Sequence, residues 1–92
     1  MERKEYMIMD DCGTELWYDP IGSVTETEAI AYFERTVEDL VETGNIKRRI
    51  RVSLITDMVY DEDEPSCLVG WNTIREADDT MGWTTIKEVV RW

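Results

Sequence analysis

Carboxylates are the side chains most able to take part in catalysis or binding in this chain, because it has 21 acidic residues, 10 basic ones and no histidine. Without histidine the usual general base is missing, and neither a Ser-His-Asp nor a Cys-His arrangement can be built. Two carboxylates could form an acid/base dyad, but a dyad needs a walled cleft that a 92-residue domain scarcely offers. We therefore expect no enzymatic activity and no catalytic residue.

Motifs for cofactors and metals are absent from the sequence as well. It contains no P-loop, no G-x-G-x-x-G and no H-E-x-x-H. The acidic run 61–64 lacks the alternating ligands and central glycine of an EF-hand loop. Cys12 and Cys67 stand far apart, which favours reduced thiols over a zinc site or a disulfide framework. We expect neither a metal nor a cofactor.

The formal net charge of −11 limits the classes of partner. It repels nucleic acid and anionic membranes, and no apolar run approaches the roughly 18 residues that would cross a bilayer. An acidic surface instead speeds encounter with basic proteins, including those whose grooves bind nucleic acid. We expect a cytoplasmic protein, in the host cell if a phage encodes it, that binds neither nucleic acid nor membrane directly.

One strongly patterned helix is predicted from Thr25 to Gly44. Thr25 and Glu28 have the spacing of a capping box, and Gly44 stands where a left-handed residue would end the helix. One apolar stripe follows the 3.6-residue period: Ala29, Ile30, Phe33, Val37, Leu40 and Val41. This side is expected to face the core.

The opposite side of the helix is acidic. Glu34, Glu38 and Glu42 form one i,i+4 row, where like charges cost about 0.2–0.5 kcal/mol per pair. A helix that tolerates such repulsion points to a basic partner, although a solvated face in an acidic protein is the simpler interpretation. The predicted partner-binding residues are Glu28, Glu34, Glu38, Asp39, Glu42, Asp61, Glu62, Asp63 and Glu64.

Strand patterns surround the helix. We predict a hairpin of strands 5–10 and 14–18 that breaks at 19–22, a strand over 46–60, an exposed turn at 61–65 and a strand over 66–71. Residues 72–82 are expected to form a loop or one helical turn, and 83–92 fit a helix or, preferably, a strand. The sequence thus predicts a single α+β domain over 1–92, β-β-α-β-β-β, with an antiparallel sheet and one amphipathic helix on one face.

Four of the ten basic residues stand at Lys47, Arg48, Arg49 and Arg51. They could form a patch for an anion such as phosphate. In so acidic a chain, they more simply neutralise neighbouring carboxylates, and we expect this role.

The sheet is expected to be only partly covered. A helix is about 10 Å wide and strands lie about 4.8 Å apart, so one helix covers two or three of five strands. The remaining apolar surface could form a homodimer or docking interface, with Trp17, Trp71, Trp83 and Trp92 as its predicted residues.

Two functions follow from these features. The first is a binding module that inhibits or regulates another protein by occupying a basic surface, including one that binds nucleic acid. In size and acidity the chain resembles small inhibitors from phages and mobile elements, among them DNA-mimic, anti-restriction and anti-CRISPR proteins. That resemblance involves no motif and implies no residue roles. The second function is a structural or assembly subunit that homodimerises or docks through the uncovered sheet face.

Overall fold

The computed structural model describes residues 2–78 and 87–88. Its elements in chain order are β1 (Arg3–Asp11), β2 (Leu16–Thr25), α1 (Glu26–Thr43), a 3-10 helix (Asn45–Arg48), β3 (Arg51–Tyr60), β4 (Leu68–Asp78) and β5 (Lys87–Glu88). The strands form one antiparallel sheet in the order β2-β1-β3-β4-β5. The predicted α+β class and the element order β-β-α-β-β-β are confirmed.

Helix α1 begins and ends where the sequence predicts. The Glu28 backbone N–H donates to the Thr25 hydroxyl oxygen at 3.3 Å, and the Thr25 N–H donates to the Glu28 carboxylate at 3.0 Å. Gly44 ends the helix with φ 78°, a left-handed conformation that glycine adopts without a steric penalty. Ala29, Phe33 and Val37 are buried, so the apolar stripe faces the sheet.

The core lies between α1 and the centre of the sheet. Its buried residues are Tyr6, Ile8, Ala29, Phe33, Val37, Ile46, Val52, Leu54 and Ala77. The helix packs against β1, β2 and β3, which agrees with the expected two or three strands. Ser53 and Ile55, which alternate with Val52 and Leu54 along β3, are buried too. The centre of β3 is therefore inaccessible on both faces, and it offers no uncovered apolar surface of the kind predicted.

The predicted break at 19–22 is wrong, because β2 continues from Leu16 to Thr25. Two features make this continuation feasible. The strand lies at the edge of the sheet, where proline is tolerated, and the register shifts there so that Ile21 has no partner between Pro20 and Gly22. Gly22 has φ 104°, which suits the residue to such an irregularity.

The predicted strand over 46–60 begins only at Arg51. Residues 45–48 form the 3-10 helix instead, in which the Lys47 N–H donates to the Gly44 carbonyl and the Arg49 N–H to the Ile46 carbonyl. This turn places Ile46 in the core beneath the end of α1. Ile46 is therefore buried because it lies in a tight turn, and it is not part of strand β3.

The predictions for the last third of the chain are partly corrected. The strand expected over 66–71 runs from Leu68 to Asp78, so the predicted loop at 72–82 is wrong for 72–78. Lys87 and Glu88 form β5 and pair with Glu76 and Arg75. The rest of 83–92, and residues 79–82, lie outside the described residues.

Beyond Thr56 the sheet divides into two pairs of strands, because β1 stops pairing with β3 while β1 continues to pair with β2. Thr56 pairs with Tyr6 in the last matched position of β1 and β3, whereas β3 and β4 continue to pair as far as Tyr60 and Leu68. We call residues 57–60 and 68–71 the β3–β4 ribbon. The turn 61–67 closes it, in agreement with the predicted exposed turn. None of the helices in the described part of the chain is long and apolar enough to span a membrane.

Candidate protein-binding surface

The carboxylate row lies on the outer side of α1. Glu34, Glu38, Asp39 and Glu42 are all exposed, and none of them forms a salt bridge with a basic residue in the described part of the chain. Successive members of the row are about 6 Å apart along the helix axis. The row is therefore a line of charges that the described residues leave uncompensated.

Glu28 has a different role from the rest of the predicted set. Its carboxylate accepts hydrogen bonds from the Thr25 backbone N–H and from the Thr25 hydroxyl at 2.9 Å, which hold the pKa of Glu28 below its ordinary value. Hydrogen bonds to a charged carboxylate favour the charged form. Glu28 thus stays ionised while it caps the helix, and its charge adds to the acidic surface beside the helix N-terminus.

The acidic turn is held by its own backbone. The Asp61 N–H donates to the Cys67 carbonyl at 2.9 Å, and the Cys67 N–H donates to the Glu64 carbonyl at 2.8 Å. The Asp63 N–H donates to the Asp61 carboxylate at 2.8 Å. Glu62, Asp63 and Glu64 are exposed. Their carboxylates therefore project from a defined turn.

The acidic turn and the helix N-terminus lie at the same end of the sheet. Thr25, which precedes α1, pairs with Arg3, and Thr56 pairs with Tyr6 only three residues further along β1. Among the described residues, this end, called the acidic end, has nine acidic and two basic residues: Glu2, Arg3, Lys4, Glu5, Glu26, Glu28, Asp57, Asp61, Glu62, Asp63 and Glu64. Most of the chain's excess negative charge lies there, whereas Glu42 lies towards the opposite end.

The basic segment lies at that opposite end, where it contributes to folding. The Arg49 Nε donates to both carboxylate oxygens of Asp10, at 3.0 and 2.9 Å, and an Arg49 Nη1 donates to the Asn45 carbonyl. These bonds fasten the 3-10 helix to β1, so the expected neutralising role holds for Arg49. Lys47 and Arg48 are exposed.

Of the predicted tryptophan surface, only Trp17 and Trp71 fall within the described residues, and these two lie apart. Trp17 is 62% exposed on β2, and its indole N–H donates to the Glu15 carboxylate at 2.6 Å. Trp71 is half-buried on β4, which is separated from β2 by the two strands β1 and β3. Trp83 and Trp92 lie outside the described residues. The structure therefore separates the two described tryptophans.

Three exposed apolar side chains on the β3–β4 ribbon were missed by the sequence reasoning. Val59 and Val69 are each 56% exposed and Tyr60 is 45% exposed. The strand departs from regular geometry at Asp57, which a polar residue in an alternating pattern does not signal. Asp57 has φ 52°, and its carboxylate accepts hydrogen bonds from Asn72 at 2.5 Å and Lys4 at 3.5 Å.

The cysteines and acids form no further recognisable site. Cys12 and Cys67 are free thiols, and the pKa of Cys12 is lowered by its hydrogen bonds with the Thr14 side chain and nearby backbone groups. In residues 2–78, no three acidic or cysteine side chains are placed to hold a metal ion. Comparison with protein-family models, curated proteins and solved structures found no match to this chain.

Proposed function

We propose that the protein is a small acidic binding module that inhibits or regulates another protein by occupying a basic surface on it, such as a nucleic-acid-binding groove. The observation that carries this proposal is the exposed row Glu34, Glu38 and Glu42, for which the described residues provide no salt bridge. Such a row destabilises its own helix, so an external cation is the natural source of compensation. The same role is performed by the phage inhibitors that the chain resembles in size and acidity.

Charge spacing determines how much of the surface is needed. Duplex DNA presents one charge per roughly 1.7 Å, whereas the row presents one per about 6 Å. The helix alone is therefore a sparse substitute for nucleic acid. The acidic end adds further carboxylates near the start of α1, so a partner that contacts both would meet a denser negative surface.

Affinity capture with matched variants tests the proposal. The tagged protein is used as bait in a lysate of the cell that makes it, the captured protein is identified by mass spectrometry, and its Kd is measured with purified components. Glu34→Ala/Glu38→Ala should weaken binding by about tenfold, which corresponds to roughly 1.4 kcal/mol. Glu15→Ala/Asp19→Ala removes the same charge from the β1–β2 region and should change Kd little.

Circular dichroism of both variants checks that they remain folded. A captured partner without a basic surface would overturn the proposal, and equal binding by the two double variants would remove the helix row from it.

One observation favours a second candidate function, self-association of a structural or assembly subunit. Leu16, Trp17 and Tyr18 are exposed together at the start of the edge strand β2. An edge strand with apolar side chains is a template for pairing with a second copy. Apolar association persists when salt screens charge, so the solution mass should show a dimer at both low and high salt. A monomer in both conditions would exclude this function.

A further inference from the structure

The β3–β4 ribbon combines exposed apolar side chains with a charged tip. Val59, Tyr60 and Val69 are exposed on its two strands, and the acidic turn 61–64 follows directly. Val59 and Tyr60 are consecutive in β3 and therefore face opposite sides of the ribbon, and Tyr60 is the one that also lines a groove. Interfaces place apolar contacts at the centre and polar groups around them, so the Tyr60 side, next to the acidic turn, is the candidate binding surface.

A groove lies at the base of the ribbon. It has a volume of about 470 Å³, and Met7, Pro20, Met58 and Tyr60 supply its apolar lining. Lys4 and Asp57 also line it and form an ion pair at 3.5 Å. Methionine side chains are flexible and polarisable, so such a lining adapts to different apolar groups.

Hydrogen bonds within the chain define the shape of the ribbon. Asp57, which has a left-handed φ of 52°, accepts hydrogen bonds from Asn72 and Lys4. One backbone hydrogen bond joins the ends of the turn, from Asp61 to Cys67, and a second runs within it, from Cys67 to Glu64. Preorganisation of this kind lowers the entropy lost on association. The ribbon can therefore bind with less loss of freedom than an unstructured acidic loop.

We propose that the ribbon and the groove at its base form the docking site for a basic segment of the partner protein. One apolar side chain of that segment enters the groove, while its lysines and arginines meet the carboxylates of residues 61–64. This inference rests on the proposed function and names the part of the surface that supplies affinity. Exposed ion pairs contribute little affinity each, whereas a buried apolar anchor contributes more and charge mainly speeds encounter.

Two synthetic peptides test this docking site. One is a short peptide of lysine and arginine with a central leucine, and the other has serine in place of the leucine. Each is titrated into the full-length, isotope-labelled protein at low salt while the amide NMR signals are followed. The leucine peptide should shift the signals of the ribbon and groove and bind about tenfold to a hundredfold more tightly than the serine peptide, because only leucine has apolar surface to bury.

Tyrosine variants with matched exposure give the control. Tyr60→Ala should weaken binding of the leucine peptide by about tenfold, and Tyr60→Phe should retain it. Tyr32→Ala removes a tyrosine of nearly equal exposure, 46% against 45%, from helix α1 and should have no effect. The amide spectrum of each variant shows whether the fold is intact.

The possible results separate the two proposals. If both peptides bind equally, or shift only the signals of helix α1, the docking site is overturned and the proposed function stands. If neither peptide binds and the captured partner is not basic, the proposed function fails and the docking site fails with it. Leucine-dependent shifts in the ribbon that Tyr60→Ala abolishes support the docking site.

Discussion

Replacing Glu38 by glutamine should stabilise the protein. Glu38 is the middle member of the row, so Glu38→Gln removes its repulsion with both Glu34 and Glu42. At about 0.2–0.5 kcal/mol for each i,i+4 pair, the free energy of unfolding should rise by about 0.4–1 kcal/mol. Glutamine and glutamate have nearly equal helix propensity, so the backbone contributes little to the difference. For a domain of this size the gain corresponds to a rise in Tm of about 2–8 °C.

Urea denaturation, followed by circular dichroism at low salt and at about 1 M NaCl, measures this effect. The gain should shrink at 1 M, where the Debye length of about 3 Å is shorter than the spacing of the row. Glu26→Gln is the matched control, since Glu26 lies exposed in the first turn of α1, where a negative charge interacts favourably with the helix dipole. Glu26→Gln should therefore lower the free energy of unfolding, although it reduces the net negative charge by the same amount as Glu38→Gln. A Glu38→Gln variant that is no more stable than the parent would refute the repulsion argument.

Three further predictions concern stability, each measured by chemical or thermal denaturation. Thr25→Ala removes the hydroxyl of the capping box and should cost about 1 kcal/mol. The pKa of Glu28 is lower in the folded protein than its ordinary value of 4.5. The stability that Glu28 contributes to the cap is therefore fully present above pH 4.5 and is lost as pH falls through the folded pKa. The effect of Thr25→Ala on stability should shrink in acid, and an effect that grows in acid would contradict the lowered pKa of Glu28. Phe33→Ala empties the fully buried centre of the core and should cost about 3–5 kcal/mol, enough to unfold a marginal domain, whereas a loss below about 1 kcal/mol would place Phe33 outside the core. Arg49→Ala breaks its hydrogen bonds to the half-buried Asp10 carboxylate and should cost roughly 1–2 kcal/mol, and an Asp10→Asn/Arg49→Ala double variant should lose less than the sum of its single changes if the pair is coupled.

The helix could be predicted from the sequence because its signals are local. Thr25, Glu28 and Gly44 act within a few residues of themselves, and the apolar stripe needs only the helical period. The element order was equally accessible, since each strand except β5 carries its own apolar pattern.

The errors arose where distant parts of the chain decide the structure. Pro20 and Gly22 indicate a break by their residue types, yet β2 continues because it lies at the sheet edge and shifts register against β1. Ile46 fits a strand pattern, but the left-handed Gly44 directs the chain into a 3-10 turn that buries Ile46 under α1. Neither the edge position nor that contact can be read from a short window of sequence.

In the candidate surface too, features set by local sequence could be predicted, and features set by distant parts of the chain could not. The exposure of Glu34, Glu38 and Glu42 follows from the helical period, so it could be predicted. The apolar ribbon could not, because the exposure of Val59 and Tyr60 depends on where β1 stops pairing with β3. The ribbon and the start of α1 lie at the same end of the sheet, and this arrangement likewise depends on the register of three strands.

The salt dependence of partner binding tests the proposed function most directly. Raising NaCl from about 0.15 M to about 1 M shortens the Debye length from about 8 Å to about 3 Å. If the acidic surface binds a basic protein, the Kd of the captured partner should rise by about tenfold or more over this range. A Kd that stays constant, or falls as salt strengthens apolar contacts, would show that the carboxylates do not drive recognition.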